Sequence, residues 1–234
     1  MKNILFSLVA AVFLSSSISY AGNMEDGIAA YERKDYATAF EKYRLSAVKG
    51  NATAQTVVAL MYEKGQGVVQ DYFEAVKWYR LAATQGNASA QNSLGLMYGK
   101  GKGTIQDYTE GANWHRRAAD QGHANAQFNL GAMYENGQGV VQDYTQAVTW
   151  YRLAAAQGIS EAHYNLGLMY AKGQGVVQDY LHSYMWVNLS AISGNVENAA
   201  KLRDYIAGQM TSQQIAIAQR MAVRCQGQNF KNCD

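Results

Sequence analysis

Apolar side chains recur at helical spacing in a block of 36 residues that is repeated along the chain. In the block 87–122, a first short amphipathic helix, called A, is predicted because its apolar residues are three and four positions apart: Ala90, Leu94, Met97 and Tyr98. A second helix, B, follows, and in the block 51–86 its apolar stripe consists of Tyr72, Ala75, Val76, Tyr79, Ala82 and Ala83. A repeat of this length predicts a stacked solenoid of helix pairs.

The signals that begin and end these helices recur with the same period. Helix A runs into a Gly-x-Gly pair, and glycine readily adopts the left-handed conformation that ends a helix. Helix B is preceded by an aspartate that can cap its first backbone N–H groups. A glutamate or glutamine follows three residues later, which predicts a reciprocal capping box at Asp71/Glu74, Asp107/Glu110 and Asp143/Gln146.

Glycine also occupies the middle of helix A in three blocks, at Gly95, Gly131 and Gly167. A glycine inside a helix costs about 0.5–1 kcal/mol relative to alanine, so its recurrence needs a reason. We expect helix A and helix B to approach too closely there for a Cβ atom. The first block has Ala59 at this position, which predicts a slightly wider pair.

The pattern LGLMY-x-KG-x-G-x-x-QDY-x-x-A-x-x-W-Y-R-L-A-A-x-QG closely resembles the Sel-one-like repeats, α/α relatives of the tetratricopeptide repeats. The resemblance covers about residues 25–224 and implies an all-α, right-handed α/α solenoid. The four full repeats are 51–86, 87–122, 123–158 and 159–194. The chain departs from the family in having no proline, which the family often places after the valine of the Gly-x-Gly loop.

Segments of other character flank the four repeats. Residues 1–21 resemble a secretory signal, with Lys2, a short apolar run and a cleavage site near Ala21. Residues 22–50 resemble a tetratricopeptide-like capping repeat, and 195–224 are expected to form two capping helices, from Val196 to Gly208 and from Thr211 to about Arg224. We therefore expect a periplasmic or secreted protein, with no membrane insertion after cleavage.

The tail 225–234 contains the two cysteines of the chain, Cys225 and Cys233. In an oxidising compartment two such thiols are expected to form a disulfide. The formal net charge of +2 is close to neutral, so the chain has no electrostatic signature of a nucleic-acid-binding protein. Oligomerisation is not indicated, and we expect a monomer.

The sequence contains no recognisable catalytic constellation, no metal-ligand spacing and no cofactor motif. His115 takes the position of Tyr79 and is expected to pack, whereas His163 takes the position of Gln55 and is expected to be a solvated polar residue. Some disulfide-rich exported relatives are described as binding or hydrolysing penicillins. Ser46 and Lys49 match S-x-x-K, and Ser193 and Asn195 match S-x-N, but Ser46 is expected to end a helix, whereas the nucleophile of acyl-serine enzymes begins one. We predict that the chain is not an enzyme.

In tetratricopeptide-type stacks the A helices line a concave groove, and the resemblance implies which positions point into it. The lining residues expected here are Thr53, Ser89, Asn125 and Glu161, then Thr56, Asn92, Phe128 and Tyr164, and at the helix ends Lys64, Lys100 and Lys172. Packing positions repeat almost unchanged, whereas the second of these sets differs in every copy. Phe128 and Tyr164 are the expected aromatic anchors, since aromatic residues dominate interface hot spots.

The sequence thus predicts an exported scaffold that binds a protein or peptide in its groove. Two other functions stay open at this point. One is a hydrolase of β-lactams or cell-wall peptides, and the other is a peptidoglycan-binding module.

Overall fold

The computed structural model describes residues 22–231 and residue 233, and within this part the chain forms helices and loops only. The expected signal segment 1–21 lies outside the described residues. The first helix, α1, comprises residues 22–32. The remaining helices are α2 (Tyr36–Ala47), α3 (Ala52–Lys64), α4 (Tyr72–Thr84), α5 (Ala88–Lys100), α6 (Tyr108–Asp120), α7 (Ala124–Asn136), α8 (Tyr144–Ala155), α9 (Ser160–Lys172), α10 (Tyr180–Ser193), α11 (Ala199–Ala207) and α12 (Ser212–Gly227).

The helices form an α/α solenoid in which A and B helices alternate with the predicted period. A helices are α3, α5, α7 and α9, and B helices are α4, α6, α8 and α10. By its contacts the chain divides after Gln106 into two compact units, called unit 1 and unit 2. Within unit 1, α3 packs against α2 and α4; within unit 2, α8 packs against α7 and α9. Each core is formed by the apolar stripes of the sequence, with Tyr79 and Tyr151 among the largest fully buried side chains.

The predicted helix ends are confirmed for most of the chain. Each B helix begins at an aspartate whose carboxylate accepts backbone N–H groups, as Asp71 does from Phe73 and Glu74. The A helices end at glycines in the left-handed conformation, such as Gly101 with φ 63°. The reciprocal half of the predicted capping box differs, because the glutamates turn along their own helix. Glu110 accepts a hydrogen bond from Trp114 Nε1 at 2.9 Å.

The second glycine of each Gly-x-Gly loop has a role beyond ending the helix. A Cβ atom at Gly103 would lie 2.1 Å from the carbonyl oxygen of Tyr72, the first residue of the preceding B helix. In unit 2, a Cβ at Gly175 would lie 2.3 Å from the carbonyl oxygen of Tyr144. The loop of one repeat therefore rests directly on the backbone of the previous repeat, which only glycine permits.

The mid-helix glycines of unit 2 also lie where helices approach closely. A Cβ at Gly131 would be 2.8 Å from ring carbons of Tyr151, and at Gly167 it would be 2.2 Å from Cγ2 of Val187. In unit 1 the equivalent Ala59 is accommodated and fully buried. The pairs α7–α8 and α3–α4 therefore differ at this position, which has no room for a Cβ atom in the first pair and holds the Cβ of alanine in the second.

The C-terminal helices differ from the prediction at their ends. The helix expected from Val196 begins at Ala199 instead, because residues 196–198 form a bend and a turn. The last helix begins at the predicted cap Thr211, which forms a complete capping box with Gln214, and it extends to Gly227 rather than Arg224. Both helices pack against α10. A disulfide joins Cys225, in the last turn of α12, to Cys233 in the tail that follows the helix.

Candidate functional site

The residues predicted to meet a partner lie on the A helices, and most of them reach the surface. The second residue of each A helix is exposed, as are the lysines at the helix ends: Thr53, Ser89, Asn125 and Glu161, and Lys64, Lys100 and Lys172. Thr56, Phe128 and Tyr164 are half-buried. Asn92 corrects the expectation, because it is buried with 8% of its surface exposed and offers almost nothing to a partner.

Phe128 combines packing with exposure. Its ring lies against the buried ring of Tyr151, with centroids 5.7 Å apart, and it borders the core of unit 2. The rest of the ring remains accessible, as does part of Tyr164. A half-buried aromatic residue held by packing is the arrangement that interface anchors favour, since little side-chain entropy is left to lose on binding.

In each unit a buried tyrosine of a B helix forms hydrogen bonds to the A helix before it and to the A helix after it. In unit 2, Tyr151 of α8 donates a hydrogen bond to Glu135 of α7 at 2.6 Å, and Asn165 of α9 hydrogen-bonds to the same phenol. In unit 1, Tyr79 donates to Glu63 at 2.8 Å and Ser93 takes the place of Asn165. We call this arrangement the Tyr–Glu relay.

The relay fixes the protonation of its tyrosine. Burial raises the pKa of Tyr151, and the hydrogen bond and negative charge of Glu135 raise it further. The phenol therefore stays protonated and donates the hydrogen bond, which a side-chain oxygen of the glutamate accepts. None of the ion pairs among the described residues involves Glu63 or Glu135.

The relay could have been recognised in the sequence, because its tyrosine and glutamate are replaced together. Where the tyrosine of helix B is replaced, by His115 or Val187, the glutamate sixteen residues earlier is replaced as well, by Gly99 or Ala171. His115 packs as predicted, with 3% of its surface exposed, and burial lowers its pKa to about 4. The paired changes show that tyrosine and glutamate at these positions belong together.

A second set of polar contacts links the A helices to the B helices before them. The Gln55 amide donates to the carbonyl of Ala47 at 3.1 Å, and Gln127 makes the same bond to Ala119 at 3.2 Å. Arginines of helix B add a further link, as Arg152 donates to the Tyr170 hydroxyl at 2.7 Å. These bonds join successive helices.

His163 overturns its predicted role as a solvated residue. It is 2% exposed, and its Nε2 lies 3.0 Å from the carbonyl of Ala155, so it makes the bond that glutamine makes in the other repeats. Its ring stacks on Trp186 at 5.5 Å and meets Phe230 of the disulfide loop at 4.9 Å. Burial lowers the pKa of His163 to about 4.

The Sel1 repeat family model matches four consecutive stretches, 52–87, 88–123, 124–159 and 160–195, which together exceed half of the chain. The chain belongs to the Sel1 repeat family. The stretches coincide within one residue with the repeats read from the sequence.

Solved structures of Sel1 repeat proteins are similar to this chain over most of its length. A Sel1 repeat protein from Oxalobacter formigenes is 36% identical, with a TM-score of 0.68 over 72% of this chain and 70% of that one. A protective antigen present in uropathogenic Escherichia coli strains, with the Sel1-like repeat fold, is 32% identical, with a TM-score of 0.76 over 96% of this chain. Our chain spans 48% of that antigen. No curated protein matches the chain significantly.

The two candidate catalytic serines of this Sel1 repeat protein differ in their accessibility. Ser46 is fully buried in the last turn of α2, where a substrate has no access to its hydroxyl. Ser193 is exposed and its hydroxyl donates to the carbonyl of Ser190 at 2.6 Å. Across residues 22–231 and 233, no three His, Cys, Asp or Glu side chains gather as metal ligands, and no helix is long and apolar enough to span a membrane.

Proposed function

We propose that the protein is an exported scaffold that binds a protein or peptide along the exposed faces of its A helices. Chains of Sel1 repeats commonly mediate protein–protein interaction. The observation that carries the proposal is the contrast between the packing positions and the surface positions of each A helix. Packing and hydrogen-bonding positions recur between repeats, whereas the surface position occupied by Thr56, Phe128 and Tyr164 changes from copy to copy.

Export is supported by the apolar run and small residues of the segment before Gly22 and by the disulfide between Cys225 and Cys233. Disulfides persist in oxidising compartments such as the periplasm. The E. coli relative is described as a protective antigen. A location outside the cytoplasm would place the A-helix faces where envelope or extracellular proteins can reach them.

The test is capture of a partner from envelope extract by purified protein, followed by replacement of Phe128 and Tyr164 with alanine. We expect the double variant to lose at least tenfold in capture while its helical circular dichroism is unchanged, because aromatic hot spots each contribute about 2 kcal/mol or more. A matched control replaces Phe73, an exposed aromatic residue on the B helix α4. Equal capture by all three proteins would contradict the proposal.

A further inference from the structure

One face of unit 2 combines negative charge with half-exposed aromatic rings. On α7 it consists of Phe128, Ala132 and Glu135, and on α9 of Glu161, Tyr164 and Leu168. Spacings of three and four residues place each trio on one side of its helix. We call this surface the α7–α9 face. Glu161 is exposed and the other five side chains are half-buried.

Glu135 is the fixed acceptor of this face. Its carboxylate is held by the Tyr151 hydroxyl at 2.6 Å, and Tyr151 is itself fully buried. Among the described residues, no Lys, Arg or His nitrogen lies within ion-pair distance of the Glu135 carboxylate. A partly buried carboxylate that is oriented in advance and lacks a counter-ion can be paired by a cation from a partner at little cost in side-chain entropy.

The aromatic rings suit the same kind of ligand. Cationic groups are attracted to the faces of aromatic rings, and the alkyl stems of lysine and arginine pack on them. Glu161 adds a second negative charge in the first turn of α9. The lysine and arginine content of α7 and α9 is a single residue, Lys172, which lies in the last turn of α9.

The equivalent face of unit 1 provides a natural contrast. Glu63 has the same relay with Tyr79, but the neighbouring residue is Lys64, and the next A helix carries Lys100 and no acidic residue. The aromatic positions are also absent, since Thr56 and Asn92 replace Phe128 and Tyr164. Charge complementarity therefore favours a cationic ligand only in unit 2.

We propose that the α7–α9 face binds a peptide segment bearing lysine or arginine, with a basic side chain paired to Glu135 and adjacent residues on Phe128 and Tyr164. This inference rests on the proposed scaffold function and names the partner's chemistry. The occupant is a basic protein segment rather than an acidic one or a free polyamine.

The test uses fluorescence anisotropy with a labelled twelve-residue peptide of lysine, serine and alanine, and with copies in which glutamine or glutamate replaces lysine. We expect the lysine peptide to bind at least tenfold more tightly than either copy, with affinity that falls as salt rises. Equal binding of the glutamine copy, tighter binding of the glutamate copy, or displacement of the lysine peptide by equimolar spermine would overturn the inference.

Variants of the protein locate the binding. Glu135→Gln removes the charge but can still accept the Tyr151 hydrogen bond, and we expect it to weaken the lysine peptide about tenfold. The matched Glu63→Gln in unit 1 should change affinity less than twofold, and Lys172→Gln should tighten it. Equal effects at Glu63 and Glu135 would contradict the assignment to unit 2. Because the peptide series itself needs no variant, a variant that failed to fold would leave the result standing.

This experiment separates the inference from the function on which it rests. If the captured partner depends on Phe128 and Tyr164 but the lysine peptide does not bind, the basic chemistry is wrong and the scaffold function stands. If neither binds, both are wrong.

Discussion

Units 1 and 2 contain the same Tyr–Glu relay in different surroundings. In unit 1, Glu63 has Lys64 beside it and small polar residues on the neighbouring surface. In unit 2, Glu135 is accompanied by Phe128 and Tyr164. The relay is thus common to the pairs α3–α4 and α7–α8, whereas the residues around it differ in charge and size between the two units.

The units also differ in packing and in titratable groups. Where α3 has Ala59, α7 has Gly131 against the Tyr151 ring. All four histidines, His115, His123, His163 and His182, belong to unit 2.

The largest effect is expected where the units are alike, at the second glycine of the loop. Gly175→Ala places a Cβ 2.3 Å from the carbonyl oxygen of Tyr144, at φ 70°. Left-handed backbone alone costs a non-glycine residue about 1–2 kcal/mol, and the backbone clash adds to it, so we expect a loss of at least about 3 kcal/mol. Urea unfolding measures it.

The first glycine of the same loop is the control. A Cβ at Gly173 would make only a 3.4 Å contact with Gln178, so Gly173→Ala should lose about 1–2 kcal/mol through its φ alone. Gly67→Ala in unit 1 should match Gly175→Ala. Equal losses at Gly173 and Gly175 would show that the loop does not rest on the preceding helix.

The next largest loss of stability is expected at the mid-helix position where the pair α7–α8 has glycine and the pair α3–α4 has alanine. Gly131→Leu forces a side chain into the Tyr151 ring and should destabilise the protein by about 3 kcal/mol. Ala59→Gly in unit 1 should lose only about 1 kcal/mol, the difference in helix propensity. An unchanged melting temperature for Gly131→Leu would rule out close approach of α7 and α8.

Acidification should weaken unit 2 through His115 and His163. Burial holds the pKa of each at about 4 in the folded protein, below the ordinary value of 6.5. The unfolded chain then binds more protons between these values, so stability is lost as pH falls from about 6.5 towards 4. At pH 5.5 we expect a loss of roughly 1 kcal/mol per histidine.

Replacing His115 with Tyr and His163 with Gln restores the residues that other repeats carry. The double variant should flatten the dependence of the melting temperature on pH between 5 and 7. A wild-type melting temperature that does not fall over this range would show that neither histidine is buried in its neutral form.

A further modest stability effect concerns the C-terminal end of unit 2. The disulfide closes a short loop whose Phe230 packs on His163. Replacing Cys225 and Cys233 with serine should lose about 1–2 kcal/mol, less than the chain-entropy limit for a loop of this size. Thermal unfolding under non-reducing conditions measures it, and reduced wild-type protein should match the variant. A variant as stable as oxidised wild-type protein would contradict a structural role for the loop.

The repeat period, the α/α fold and most helix ends could be predicted because they depend on local signals. The apolar spacing of residues 88–100 defined α5, and aspartate and glycine marked where helices begin and end. The predicted mid-helix approach at Gly131 also agrees with the structure, since a Cβ there would overlap Tyr151.

What sequence reasoning missed depends on contacts between residues far apart in the chain. The loop glycines reach a carbonyl 31 residues upstream, and nothing in a Gly-x-Gly pair distinguishes this from a turn. The prediction that His163 is solvated is wrong because the side chain at its position, glutamine in the other repeats, bonds a buried carbonyl of the previous helix. The burial of Asn92 was likewise not encoded in its polar character.

The most direct test of partner binding on the A helices is photo-cross-linking in cells. A benzophenone amino acid is placed at Asn125 or Glu161 on the A helices, and at Asn113 or Thr149 on the B helices, all four being exposed. We expect a discrete cross-linked partner from positions 125 and 161 and none from 113 and 149. Cross-links from the B-helix positions alone would place the binding surface on the other side of the helix pairs and contradict this account.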